Sequence, residues 1–200
     1  MEIKDKDELQ KRIAELEAQV KKLENNLIHD QLTGLKTRAF FEQELEGYLA
    51  TLGYNARRKR KESFGFKNIS VIFFDLDHFK KVNDAYGHDM GDTVLHQVAE
   101  AIQLCLRAGD TAARWGGEEF IVSLLGATEE DAVAKAEEVR KAIESIIFPE
   151  APSLKLTISA GVASFEDGQT ISELVKHSDQ ALYIAKHGGR NKVVAYGNQR

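Results

Sequence analysis

The chain has 200 residues, of which 42% are hydrophobic and 30% charged, and its formal net charge is −5. That length suits one well-packed domain with an accessory segment, and the mildly acidic charge argues against nucleic acid as a partner. Its one cysteine, Cys105, forms no internal disulfide. With neither a signal peptide nor a long apolar run in the sequence, we expect a cytoplasmic protein.

Residues 1–29 carry a heptad pattern. Apolar residues alternate at spacings of four and three, at Leu9, Ile13, Leu16, Val20, Leu23 and Leu27. Mostly β-branched residues at a and leucine at d favour a parallel two-stranded coiled coil. We therefore predict a dimerising coiled-coil helix, which at three heptads is marginal alone. The alternative is a single amphipathic helix that lies on the domain.

A second helix, a basic run and a strand follow in the sequence. Gly34 interrupts the first helix, and the second has four apolar residues on one face: Phe41, Leu45, Leu49 and Leu52. The five cations at 57–61 predict a solvated loop, with a docking patch for phosphates or lipids as the alternative. Residues 69–75 are almost wholly apolar, which predicts a buried strand.

The middle of the chain predicts two helices and a hairpin. A short helix begins near Phe79, a glycine-containing loop covers 87–91, and a longer helix carries an apolar face: Leu95, Val98, Ile102 and Cys105. Segments 111–114 and 120–125 flank a glycine-rich turn, which is typical of a hairpin.

The last third alternates helices and strands. Thr128 and Asp131 can cap a helix that runs to about residue 147, and residues 154–165 alternate as a strand. Thr170 can cap a final helix that ends before the glycines at 188–189, and 192–196 form a last strand. The order predicts an α+β fold with a mixed, largely antiparallel central sheet flanked by helices.

Two acidic pairs stand out in this pattern. Asp75 ends the apolar strand and Asp77 follows it, while Glu118 and Glu119 occupy the hairpin turn. A carboxylate at the mouth of a buried strand is costly unless a cation pairs with it. If the two strands are neighbours, both pairs lie at one sheet edge and resemble a two-metal phosphoryl-transfer site. Otherwise, the hairpin glutamates are simply solvated.

These residues belong to longer motifs. The segment RWGGEEF at 114–120 resembles the signature of the GGDEF family of diguanylate cyclases, in its GGEEF form. Four more segments are similar to family motifs, in order: DQLTGLKTR at 30–38, DLDHFKKVND at 75–84, YGHDMGD at 86–92 and ALYIAKHGGRN at 181–191. Two departures are Thr37, where the family commonly has Asn, and a basic loop that is longer than usual.

The resemblance implies a GGDEF catalytic domain over 30–200, with the nucleotidyl-cyclase or palm-like fold. It implies that two GTP molecules become cyclic di-GMP and two pyrophosphates across a homodimer. Two Mg²⁺ ions per active site, with Mn²⁺ as a substitute, are expected on the side chains of Asp75, Glu118 and Glu119 and on the backbone carbonyl of Leu76. Glu118 is the position expected to assist deprotonation of the 3′-hydroxyl, and Lys80 joins these carboxylates in the catalytic set.

The resemblance also implies a substrate site. Asn83 and Asp92 resemble guanine readers, and backbone amides around 77–80 suit phosphate oxygens. The remaining expected contacts with GTP come from Phe79, Lys80, His88, Lys186 and Arg190. Lys186 and Arg190 are spaced to reach one anion together; complementing the helix dipole is the alternative.

A product site and partners complete these expectations. Arg107 and Asp110, with Arg114, resemble the family's inhibitory site for cyclic di-GMP, although the pair could also be a plain surface salt bridge. An upstream sensor domain is expected in a longer parent protein. The functional alternatives are a catalytically silent cyclic di-GMP receptor and a cyclase of single nucleotides.

Overall fold

The computed structural model describes residues 2–57 and 68–197; of the predicted basic loop at 57–61, Arg57 ends a helix and residues 58–61 lie outside the described residues. In these residues the helices are α1 Glu2–Ile28, α2 Arg38–Arg57, α3 Phe79–Tyr86, α4 His88–Cys105, α5 Glu129–Glu144 and α6 Ile171–His187. The strands are β1 Lys36–Thr37, β2 Ile69–Leu76, β3 Thr111–Gly116, β4 Glu119–Leu125, β5 Ile158–Ser164 and β6 Val193–Ala195.

The strands form one mixed sheet in the order β1-β3-β4-β2-β5-β6. The four central strands pair antiparallel, and the two short edge strands β1 and β6 pair parallel with their neighbours. The predicted α+β fold is therefore confirmed.

Strand β2 lies at the centre, and every one of its residues is buried. Because side chains alternate across a sheet, the strand contributes to two cores. Ile72 and Phe74 pack in the core that includes α3, α4 and α5, whereas Val71 and Phe73 pack in the core that includes α2 and α6. The two apolar faces explain why this segment has no polar alternation before Asp75.

Capping boxes define the starts of two helices. Thr128 and Asp131 form a reciprocal capping box at the start of α5, as predicted, and Thr170 forms one with Glu173 at the start of α6. Helix α6 approaches β5 so closely that a Cβ at Gly161 would collide with the α6 backbone. Glycine is therefore required there, and this contact sets the distance between the middle of α6 and the sheet.

The structure differs from the sequence prediction at the bounds of several elements; α2, for example, continues to Arg57 instead of ending near residue 52. The predicted loop at 87–91 shrinks to Gly87 alone, whose φ of 87° lets α4 begin at His88. Strand β5 begins at Ile158 instead of 154, because Leu154 is buried by packing outside the sheet. Helix α5 ends at Glu144, before the predicted 147. Strand β1 was missed, because a two-residue parallel strand leaves no periodic pattern.

Helix α1 leaves its heptad face uncovered. The six apolar seam residues are 44–73% exposed, from Leu16 to Leu27. This is not the arrangement of an amphipathic helix that packs its apolar face on the domain, so that alternative finds no support. The helix is as predicted, and its pairing in a coiled coil stays a prediction.

Candidate active site

The hairpin and the central strand bring three carboxylates together at one end of the paired strands β2 and β4, which we call the carboxylate edge. Asp75 in β2 and Glu119 in β4 are register partners on neighbouring antiparallel strands. One step further along, the Leu76 N–H donates to the Glu118 carbonyl at 3.3 Å. Gly117 makes the turn with a φ of 41°, a conformation that favours glycine. The acids separated by more than forty positions in sequence thus share one site.

Burial and repulsion between carboxylates raise the pKa values of these three acids, which disfavours their charged forms. Burial raises the pKa of Asp75, and Lys186 opposes the shift with a hydrogen bond and its charge. Burial also raises the pKa of Glu118 and of Glu119, and in both cases the negative charge of Asp75 adds to the shift. A further cation at this edge would stabilise all three charged forms.

The donor set fits a divalent metal only in part. Within the described residues, no three His, Cys, Asp or Glu side chains converge into a preformed metal site. Lys186 instead places its ammonium Nζ 2.6 Å from Asp75 Oδ2. Mg²⁺ is usually held by few protein carboxylates, with water and substrate phosphates completing its coordination. Among the described residues, this edge therefore offers carboxylate oxygens to a divalent metal but no preformed site.

Two cations come from the end of α6. Lys186 lies in the last helical turn, whereas Arg190 lies beyond the helix, with a φ of 65°. Burial raises the pKa of Asp75, and after Lys186 the positive charge of Arg190 also opposes this shift, so Arg190 lies within electrostatic range of the carboxylates. That Lys186 and Arg190 reach one anion together stays a prediction, and only Lys186 lies in the helix.

Helix α3 follows the carboxylate edge directly. It begins at Phe79 after His78, which has a left-handed φ of 60° and makes no side-chain cap. The Phe79 side chain is buried in the core, so a contact of this residue with substrate would come from its backbone. The Asp77 N–H, predicted with its neighbours to face phosphate, donates to the Thr157 carbonyl at 2.9 Å. Lys80, one residue into α3, is exposed.

The two predicted guanine readers lie on α3 and α4. Asn83 packs so tightly against Gly91 that a Cβ at this glycine would collide with its amide oxygen. Asp92 is the next residue on α4, and it is exposed, as is His88 at the start of the helix. After the one-residue break at Gly87, α4 thus passes beside α3, with Asn83 against Gly91, the residue before Asp92.

Asp77 has a task that the sequence did not reveal. Its carboxylate accepts hydrogen bonds from Thr157 and Ser159, both at 2.8 Å, and from the Asn191 N–H at 2.9 Å. The Asp-x-Asp pattern suggested two equivalent acids, but Asp77 ties the segment after α6 to the sheet. No spacing in the sequence pairs Asp77 with partners more than 75 positions away.

The predicted product site forms a compact turn beside a cavity. The Arg107 backbone N–H and Nε donate to Asp110 at 3.3 and 3.5 Å, and its Nη2 donates to the Leu125 carbonyl at 2.8 Å. Arg107 is exposed, whereas Asp110 is almost fully buried. The adjoining cavity of about 280 Å³ is also lined by His29 and Lys36.

Arg114 does not line this cavity. Its Nη1 lies 3.3 Å from Asp30 Oδ1, and its Nε and Nη2 donate to the Gly117 carbonyl at 3.0 and 2.8 Å. The residue predicted to join Arg107 and Asp110 therefore links the end of α1 to the turn that carries Glu118.

The chain is similar along most of its length to characterised proteins. The family described as "Diguanylate cyclase, GGDEF domain" matches residues 27–192. Diguanylate cyclase A of Treponema denticola is 41% identical over 172 residues, which cover 84% of this chain and 44% of that protein. Diguanylate cyclase DgcM of Escherichia coli K12 is 37% identical over 187 residues, or 93% of this chain and 41% of that protein. The chain thus spans less than half the length of these relatives.

A solved structure resembles the chain over its helix as well as its domain. The crystal structure of the coiled coil and GGDEF domain of DgcB from Caulobacter crescentus, in complex with c-di-GMP, covers 94% of this chain and 98% of its own. The TM-score is 0.75 at 29% identity. In the described residues, no helix of the chain has the length and apolar character that crossing a bilayer requires.

Proposed function

The chain belongs to the GGDEF family of diguanylate cyclases, and from that premise we propose that it condenses two GTP molecules into cyclic di-GMP and two pyrophosphates. One observation carries the proposal: Asp75, Glu118 and Glu119 share an edge of the sheet to which Lys186 and Arg190 bring positive charge. Opposite charges in this arrangement suit a metal-bound polyphosphate. The two named cyclases among the relatives support the same reaction.

The metal part of the proposal rests on oxygen donors. Asp75, Glu118 and Glu119, with the Leu76 carbonyl, would hold two Mg²⁺ ions per active site, and Mn²⁺ would substitute. Such ions supply charge neutralisation and activate the attacking hydroxyl when bound. The protein positions the triphosphate with Lys80, Lys186 and Arg190, while Glu118 is placed to take the proton of the 3′-hydroxyl. Catalysis then comes from orientation and charge, because phosphoryl transfer leaves little covalent work to the protein.

The guanine base is proposed to lie between α3 and α4. The Asp92 carboxylate would accept from N1–H and the exocyclic amine, donors that adenine does not offer on that edge. Asn83, fixed against Gly91, would complete the reading. A site built for these donors rejects the wrong base, because its own polar groups would stay unpaired. His88 and the backbone at Phe79 border the same space.

A homodimer is part of the mechanism. Each GTP offers its 3′-hydroxyl to the α-phosphate of the other, so one protomer holds half of the reaction. The exposed heptad seam of α1, with Leu16 and Leu23 at its centre, suits a parallel coiled coil, and the DgcB structure joins such a segment to its GGDEF domain. Dimerisation through α1 would raise the effective concentration of the second half-site.

Product inhibition and an input signal extend the proposal. Arg107 and Asp110 would bind cyclic di-GMP, since an arginine fork and a carboxylate together match phosphate and guanine. Binding there would favour a domain arrangement that keeps the two active sites apart. An upstream sensor would drive α1, and the reaction would take place in the cytoplasm, where GTP is available.

Incubation with GTP and Mg²⁺, followed by mass spectrometry of the products, tests the function. Cyclic di-GMP and pyrophosphate are expected from the wild type and neither from Asp75→Ala. A wild type that binds cyclic di-GMP but makes none would be the silent receptor. Formation of 3′,5′-cyclic GMP would instead indicate a cyclase of single nucleotides.

A further inference from the structure

The segment after α6 has an unfavourable backbone that is nevertheless well defined. Arg190 and Asn191 both lie in the left-handed region, with φ of 65° and 47°. Two successive residues with a Cβ rarely adopt this conformation, and they do so only where surrounding contacts determine it. The Arg190 N–H donates to the Ala185 carbonyl at 3.0 Å, which closes the turn but leaves its direction to other contacts.

Asn191 supplies those contacts from three directions. Its N–H donates to Asp77 Oδ2 at 2.9 Å, its side-chain oxygen accepts from Arg140 Nη1 at 2.7 Å, and its side-chain amide donates to Glu144 Oε1 at 2.8 Å. We call these four residues the Asn191 clamp. A single asparagine is thereby fastened both to the central sheet and to α5.

The clamp itself is rigid. The Asp77 carboxylate accepts hydrogen bonds from the hydroxyls of Ser159 in β5 and of Thr157 just before this strand. Arg140 is 13% exposed and also binds Glu144 and Glu137 through its own ion pairs, both at 2.9 Å. Its guanidinium is therefore held at a fixed position by carboxylates of its own helix before it meets Asn191.

Arg190, the residue next to Asn191, adds its positive charge to that of Lys186 near Asp75. The Arg190 side chain is exposed, whereas its backbone is held in the turn by the hydrogen bond to the Ala185 carbonyl. The direction in which its Cβ leaves the backbone is consequently set by the left-handed turn, and the clamp sets the turn.

From this arrangement we propose that the Asn191 clamp positions Arg190 to bind the polyphosphate of GTP, with Arg140 and Asn191 as positioning residues that do not touch substrate. The inference deepens the proposed function and rests on it. An arginine whose backbone is fixed in advance loses less freedom when it binds an anion, so the clamp lowers the cost of binding.

Two variants separate the clamp from the backbone. Arg140→Ala removes the donor to the Asn191 side chain. Asn191→Gly removes both side-chain bonds but keeps the N–H to Asp77, and glycine adopts a positive φ without strain. Lys135→Ala is the matched control, because Lys135 lies on the same helix and also makes an ion pair, with Glu138 at 2.6 Å. The Lys135 side chain is 26% exposed against 13% for Arg140, and its loss perturbs α5 away from Asn191.

The measurement is calorimetric binding of a GTP analogue with a non-cleavable α,β bridge, in Mg²⁺, alongside KM and kcat for GTP. We expect Arg140→Ala and Asn191→Gly each to weaken analogue binding and raise KM by about five- to tenfold. This is the change in affinity that the loss of about one hydrogen bond produces. In these variants kcat should change less than KM. Lys135→Ala should bind the analogue like the wild type.

A double variant decides between positioning and general destabilisation. In an Arg190→Ala background, where the positioned side chain is gone, adding Arg140→Ala should weaken binding no further. If the losses of analogue affinity add in the double variant, or if both single variants bind the analogue like the wild type, the positioning role of the clamp is wrong while the proposed function stands. A wild type that does not bind the analogue would overturn the proposed function, and the clamp with it.

Discussion

Replacing Glu119 by Gln should stabilise the metal-free protein while it abolishes turnover. Glu119 faces Asp75 across two paired strands, and burial followed by the Asp75 charge raises its pKa. Like charges directly opposite in an antiparallel pair cost about 0.2–1 kcal/mol. Because Glu119 is only half-buried and solvent screens it, we take about 0.5 kcal/mol. For a chain of this size that corresponds to a rise in Tm of about 1–2 °C.

The raised pKa of Glu119 also predicts how the stabilisation by Glu119→Gln depends on pH. The ordinary pKa of Glu119 is 4.5, and the folded value lies above it, so the folded protein holds the proton more tightly than the unfolded chain. The charged form therefore costs stability, a cost absent below pH 4.5 that develops as the pH rises through the folded pKa. The advantage of Glu119→Gln should accordingly appear at neutral pH and vanish in acid.

Thermal unfolding in EDTA at several pH values is the assay, with the exposed Glu150→Gln as the matched control that should change nothing. In Mg²⁺ with a GTP analogue the order should reverse, because only the wild type gains from binding. A Glu119→Gln protein that is no more stable than wild type in EDTA at neutral pH would refute the electrostatic reasoning. Normal product formation by this variant would refute the metal assignment.

Three further predictions follow from the same structure. Asp75→Ala should abolish product formation and keep the far-ultraviolet circular dichroism of the wild type; a variant with wild-type turnover would remove Asp75 from the site. Specific activity should rise with protein concentration to a plateau, because three heptads form a weak dimer. The double variant Leu16→Glu, Leu23→Glu should make little product while it still binds GTP. Equal activity of the wild type and this variant, independent of concentration, would reject dimer coupling. Arg107→Ala should relieve product inhibition and weaken cyclic di-GMP binding in calorimetry, with the initial rate within a few-fold of wild type; an unchanged progress curve would make the pair a plain salt bridge.

The placement of the acids could be predicted because strong patterns determine it. An apolar strand that ends in Asp75 and a glycine hairpin that carries Glu118 and Glu119 must meet if the strands are neighbours, and the register now pairs Asp75 with Glu119. Helix caps at Thr128 and Thr170 were equally predictable, because a capping box is local in sequence.

The contacts that support the site could not be predicted in this way. The ion pair between Lys186 and Asp75 joins residues more than 100 positions apart, and nothing local to either residue selects the other. Asp77 looked like a second metal ligand because it follows Asp75 by two. The strand ends at Leu76, however, and the chain turns, so the alternation that would place both acids on one face stops between them.

Arg114 shows how the same limit affects function. The resemblance grouped it with the product site, but its guanidinium bridges Asp30, just after α1, and the carbonyl of Gly117 in the turn before Glu118. Asp30 is held in turn by the Thr33 N–H and hydroxyl, at 2.9 and 2.7 Å. These hydrogen bonds and Arg114 outweigh burial, so the pKa of Asp30 is lowered and its charge is kept. The end of the heptad helix is therefore joined to the turn before Glu118 by a charged, half-buried contact and not only by the chain itself.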